Sequence, residues 1–154
     1  MIPPPEDPRV REALGLAMKR IAQRDRLSFE LSRELEAKGY GEAEVGEVLE
    51  FLTSRRLVDD EKTIQSLIER RTGRRAAGKE KIRAELQKLG VPDEKIEPFL
   101  SSVGDDDELE RMNQALNSRS WSSKDRVRAA RFLVSRGFSE DLLDTALDRF
   151  FVVE

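Results

Sequence analysis

Three glycines, each closing a run of helically spaced apolar residues, constrain this 154-residue chain more than any other feature. They stand in Lys38-Gly39-Tyr40, Leu89-Gly90-Val91 and Arg136-Gly137-Phe138, 51 residues apart (39 to 90) and then 47 (90 to 137). With the glycines in register, the apolar positions around them align. Four residues before stand Leu35, Leu86 and Leu133; six after, Val45, Ile96 and Leu143. Ten after stand Leu49, Leu100 and Leu147; thirteen after, Leu52, Val103 and Phe150. Spacings of three, four and seven are helical, and no stretch alternates as a strand does. A glycine just past such a run ends a helix in the left-handed conformation. Glu42, Asp93 and Glu140 then open the next helix, against its positive N-terminal dipole.

Each repeat therefore reads as helix, helix, glycine turn, helix. The fold class is all-α, as three tandem three-helix repeats forming an elongated, curved array. Residues 1–7 are an N-terminal tail, and the repeats cover 8–58, 59–103 and 104–154. Helices are expected at about 8–23, 27–38 and 42–55, then 60–75, 78–89 and 92–103, then 105–118, 122–136 and 139–151. Asp7-Pro8 supplies an N-cap and a proline suited to the first turn. The first helix would bury Val10, Leu14, Met18 and Ile21. Ser122-Ser-Lys-Asp125 has the capping-box spacing. Pro98 falls inside an expected helix, which it should kink or shorten. Phe132, Phe138, Phe150 and Phe151 recur at helical spacing and are core. Trp121 lies just before the capped helix, where packing is favoured over stacking on a base.

Absent residues exclude much chemistry. The chain has no Cys and no His, which removes disulfides, thiolates, the usual base near neutral pH and the commonest zinc ligand. No GxxxxGK[ST] or GxGxxG occurs. Ser28, Ser122 and Ser123 have no base to activate them. Asp105-Asp106-Asp107-Glu108 lacks the glycine and alternating ligands of an EF-hand loop, and carboxylates at a helix start are expected anyway. Uncharged stretches fall far short of the ~20 residues of a membrane span. The first seven residues lack the basic and apolar regions of a signal peptide. The expectation is a cytoplasmic monomer, not an enzyme, with no cofactor, no metal and no membrane contact.

Charge is sorted along the chain. Lys and Arg number 28 against 31 Asp and Glu, a formal net charge of -3 that conceals bands. Segment 69–83 holds seven bases and two acids; segment 118–138 holds six bases and one acid. Segments 40–61 and 92–117 are acidic, with seven acids to two bases and eight to two. Either these charges cover exposed helix faces, or a basic stripe faces a polyanion or an acidic protein groove.

Several segments in order carry a resemblance. They are Arg24-Asp-Arg26, Glu30-Leu31-Ser-Arg-Glu-Leu35, Lys38-Gly39-Tyr40 and Leu57-Val58-Asp59-Asp60-Glu61. Then come Lys81-Ile82-Arg83-Ala84-Glu85-Leu86, Leu89-Gly90-Val91, Trp121, Ala130-Arg131-Phe132-Leu133 and Arg136-Gly137-Phe138-Ser139. From about Ala13 to Phe150 the chain resembles RecX, the bacterial regulatory family that restrains the RecA recombinase. The resemblance implies a non-enzymatic regulator that binds the RecA–DNA filament and inhibits its recombinase and ATPase activities, with weak contact to DNA in the filament. Partner-binding residues are then expected among the basic side chains Arg24, Arg26, Arg70, Arg71, Arg74, Arg75, Lys79, Lys81, Arg83, Arg126 and Arg128. Leu27 stands where that family usually has a serine, Arg56 where it often has glycine, and Thr63 where it often has phenylalanine. The alternatives are a helical-repeat adaptor for another acidic partner and a direct nucleic-acid binder.

Overall fold

Asp7 opens the first helix. Its Oδ1 accepts the Arg9 amide at 2.8 Å, and Pro8 fills the first position, where a missing N–H is no loss. The computed structural model describes residues 2–152. Among them are nine α-helices: α1 (Pro8–Gln23), α2 (Ser28–Ala37), α3 (Glu42–Ser54), α4 (Asp60–Glu69), α5 (Lys79–Lys88), α6 (Asp93–Ser101), α7 (Asp105–Asn117), α8 (Arg126–Ser135) and α9 (Leu143–Phe150). Short 3₁₀ turns lie at Gly73–Arg75 and Glu140–Leu142. Among the described residues there is no strand, and the chain is all-α. Met1, Val153 and Glu154, the outer ends of the expected tail and third repeat, lie outside the described residues.

Helix, glycine, helix occurs three times, as α2–α3, α5–α6 and α8–α9. Gly39, Gly90 and Gly137 have φ of 95, 94 and 82°, the left-handed region that side chains avoid. At two of the turns the capping bonds are explicit. Gly39 N donates to Glu36 O and Tyr40 N to Leu35 O; Gly137 N donates to Val134 O and Phe138 N to Leu133 O. This pair of hydrogen bonds closes the helix end, and the residue after each glycine folds inward. Tyr40, Val91 and Phe138 are buried, as are Leu35, Leu86 and Leu133. A further buried column lies eight residues before each glycine, at Leu31, Ile82 and Ala129.

By contact the chain gathers into two units. Residues up to Gln65 with Leu89–Val91 form one; Ser66–Lys88 with the residues from Pro92 onward form the other. In the first, α1 lies against α2 and α3 over a core of Val10, Ala13, Ala17, Leu31, Leu35, Val45, Val48 and Leu52. The buried face of α1 is turned from the expected Val10–Leu14–Met18–Ile21 line. Ala13 and Ala17 are buried, Leu14 and Ile21 are half-buried, and Met18 is exposed. Small side chains let helix axes approach, so the alanine stripe faces the contact. In the second unit, α7, α8, α9 and the 73–75 turn enclose Ala76, Leu109, Met112, Leu116, Phe132, Leu133 and Phe138. Phe150 and Phe151 pack against this core only half-buried.

Several helix limits depart from expectation, each for a local reason. The helix expected at 60–75 stops at Glu69, where Thr72 Oγ1 donates to Glu69 O and Gly73 turns the chain at φ 61°. The helix expected from 122 starts at Arg126, because Ser122–Asp125 forms a separate turn. There Asp125 Oδ2 accepts the Ser122 amide at 2.8 Å and Asp125 N donates to Ser122 O. The helix expected from 139 begins as 3₁₀. Pro98 lies within α6, which runs through it and ends at Ser101, short of the expected 103.

Candidate functional site

The two basic bands, far apart in sequence, cross in the second unit. Gly78 N donates to Arg136 O at 2.9 Å, and Glu80 N to Gly137 O at 3.1 Å. A Cβ on Gly78 would lie 2.3 Å from Gly137 O, so the backbones meet only because neither residue carries a side chain there. Four side chains, those of Gln114, Arg111, Glu108 and Arg136, further fasten the 73–79 loop. Gly73 N donates to Gln114 Oε1 at 2.8 Å, and Arg111 Nε to Ala77 O at 3.1 Å. Glu108 is only 1% exposed, and its Oε1 accepts the amides of Lys79 at 3.3 Å and Ser139 at 3.4 Å. Arg136 Nη1 donates to Arg74 O at 3.0 Å and Ala76 O at 3.3 Å. Burial pushes the Arg111 guanidinium down from its ordinary pKa, against the pull of Glu108 and Asp107.

Glu108 therefore has a role that the acidic run Asp105–Glu108 does not disclose. Its carboxylate joins the start of α5 to the chain entering α9. Among the described residues no three acidic side chains converge where a metal ion could sit.

Around the crossing, guanidinium groups stack on aromatic rings. Arg119 Cζ lies 4.1 Å from the Phe132 centroid and Arg136 Cζ 5.0 Å from it. The Trp121 ring tilts against Phe132 at 5.6 Å, and Arg128 Cζ stands 5.9 Å from Trp121. Trp121 Nε1 donates to Leu116 O at 2.9 Å, so this ring is anchored in packing. Arg119 and Arg128 remain exposed over the rings, whereas the Arg136 guanidinium turns to the Arg74 and Ala76 carbonyls. Arg119 and Arg136 were absent from the sequence-based set. The signal that could have found them is their spacing around Trp121 and Phe132.

The expected partner-binding residues fall into groups. Arg70, Arg74, Arg75 and Lys81 are exposed and make no ion pair among the described residues. Lys79 is half-buried at the start of α5. Arg71 is tied to Glu85, with Nε donating to Oε1 at 3.0 Å. Arg83 donates to Glu97 at 2.8 Å and to Glu80, and these bonds raise its pKa above the ordinary value. Arg126 donates to Asp148 at 2.7 Å, and Arg128 to Asp125 at 3.3 Å. The remaining two lie in the first unit. Arg24 Nη2 donates to Glu30 Oε2 at 2.6 Å, and that bond raises the Arg24 pKa. Arg26 departs furthest from expectation: it is 9% exposed, and its guanidinium is held by Glu34, Gln23 and Arg20 O. Its role is to join α1 to α2.

No family model matches the chain. The regulatory protein RecX of Chlorobium limicola is 34% identical to it over 145 residues, covering 91% of this chain and 90% of that protein. The chain belongs to the RecX family. The regulatory protein RecX of Leptothrix cholodnii is 31% identical over 137 residues, 86% of this chain and 85% of the relative. The RecX fold is present as well. The crystal structure of RecX from Lactobacillus salivarius matches with a TM-score of 0.77 at 19% identity, over 94% of this chain and 97% of that one. Relatives of this RecX-family chain are named as regulators, not as enzymes. No helix among the described residues is long and apolar enough to cross a membrane.

Proposed function

We propose that this RecX-family chain is a non-enzymatic, cytoplasmic regulator that binds the RecA–DNA filament as a monomer and inhibits its ATPase and recombinase activities. The carrying observation is the crossing at Gly78 and Gly137, which gathers the two basic bands on one unit. Arg70, Arg74, Arg75 and Lys81 of the first band, with Arg131 of the second, are exposed cations that make no ion pair among the described residues. Unpaired exposed cations raise the rate of encounter with an acidic partner, and the effect weakens as salt screens it. Inhibition needs no bond chemistry. A protein that binds some filament states better than others shifts their populations and alters turnover indirectly.

RecA's DNA-dependent ATPase, measured with increasing amounts of this protein, tests the reading. Turnover should fall to a plateau, and the fall should lessen as salt rises. Unchanged turnover at saturating protein overturns it. In a parallel titration, naked duplex should bind weakly, because acidic bands accompany the basic ones and net charge is -3. Tight, salt-steep binding to duplex alone would instead mark a nucleic-acid binder.

A further inference from the structure

Helix α8 divides its side chains unusually. One face, with Ala129, Phe132 and Leu133, is buried in the core of the second unit. The opposite face carries Val127, Arg131 and Val134, at positions i, i+4 and i+7, which line one stripe of a helix. Val127 is 64% exposed and Val134 43%. Only Met18, Leu57 and Val152 are also open among the large apolar side chains described, and none of them shares a helix with another. Arg131 is exposed and forms no ion pair among the described residues, and Arg128 stands beside the stripe. Both flanking arginines are paired, Arg128 with Asp125 at 3.3 Å while still exposed, and Arg126 with Asp148 and Asp144, so Arg131 is the stripe's unpaired cation.

Phosphate contacts are made by cations and amides, and two open valines add nothing to them. Valine stripes are covered by other aliphatic groups, and cations by carboxylates. Segment 118–138, which contains α8, has six bases against one acid, so an occupant must bring negative charge. We propose that the outer stripe of α8 (Val127, Arg131 and Val134, with Arg128) is a docking surface for an acidic protein segment that also presents aliphatic side chains. This inference rests on the reading above and places part of the filament contact on α8, as a mixed apolar and ionic patch.

The test uses full-length protein and two probes: a RecA filament on a labelled oligonucleotide held by a non-hydrolysable ATP analogue, and the same oligonucleotide alone. The double variant Val127→Thr/Val134→Thr keeps the branched shape while adding hydroxyls, and both sites face solvent, so helicity and melting should match the parent. Filament affinity should fall about tenfold, and the loss should persist at raised salt because it is apolar. Val127→Ile/Val134→Ile should retain affinity. Arg131→Ala, which cannot disturb the core, should lose several-fold in a manner that salt diminishes. Unchanged filament affinity in the threonine variant overturns the inference and leaves the functional reading standing. Equal losses towards the oligonucleotide alone overturn it in favour of a nucleic-acid face. A parent protein that does not bind the filament removes both.

Discussion

Gly78 and Gly137 are held apart by nothing but backbone, and an added methyl group has nowhere to go. Beyond the 2.3 Å approach to Gly137 O, it would sit 2.4 Å from Phe138 Cα. Gly78→Ala should therefore destabilise the protein by about 2–3 kcal/mol, read as a lower midpoint in urea unfolding. It should also weaken filament inhibition, because it separates the two basic bands. Arg56 is the converse case. It is the sole non-glycine residue with positive φ among those described, at 58°, and it is exposed without an ion pair. A left-handed residue with a side chain costs about 1–3 kcal/mol, part of which glycine returns as unfolded-state freedom. Arg56→Gly should thus stabilise by about 1 kcal/mol in the same measurement. A loss of stability would show that the Arg56 side chain makes a contact worth more than the strain.

Helix ends are where neighbouring elements are joined. Glu30 returns to the Leu27 amide and Glu44 to the Gly41 amide, so α2 and α3 are capped by an acid three residues in. Glu44 also receives Arg9 Nε of α1, at 3.0 Å, which ties two helices at one carboxylate. The Gly41 amide first, and Arg9 second, hold the Glu44 carboxyl below its ordinary value of 4.5. A depressed folded-state pKa gives stability that is fully present above the unfolded value and is lost as pH falls through the folded one. The melting-temperature advantage of wild type over Glu44→Gln should therefore be constant above about pH 4.5 and close below it. A gap that persists at lower pH would assign the effect to packing of the side chain.

At the scale of the molecule, charge placement decides partner choice more than net charge does. The free cations Arg70, Arg74 and Arg75 can be reversed to Glu without breaking an ion pair, unlike Arg71 or Arg83, whose carboxylate partners hold neighbouring segments. The triple reversal should leave helicity and melting nearly unchanged and markedly reduce inhibition of RecA. The wild-type effect should fade as the screening length shortens to about 8–10 Å near physiological salt. A matched reversal of the exposed acids Glu42, Glu47 and Glu50 to Lys should do much less. Equal behaviour of the two triple variants, in ATPase assays across salt, would show the basic loop to be a solvated face.

The sequence by itself determined the helices, the three glycine turns and the inward columns at Leu35, Leu86 and Leu133, because these obey local rules. Period, cap and left-handed turn are all written within about a dozen residues of one another. Asp7, Gly39 and Gly137 do what their neighbours require. Tertiary structure alone decided which charges are free. Arg26 reads as basic surface yet is buried against α2, and Glu108 reads as a helix-start acid yet fastens two distant amides. The merging of two basic bands rests on a backbone crossing between residues 59 positions apart (78 to 137), which no local spacing encodes. Even the buried face of α1 turned toward Ala13 and Ala17, since helix approach depends on the partner's shape as much as on apolarity. Burial and pairing of charge are long-range properties, fixed only when the helices pack.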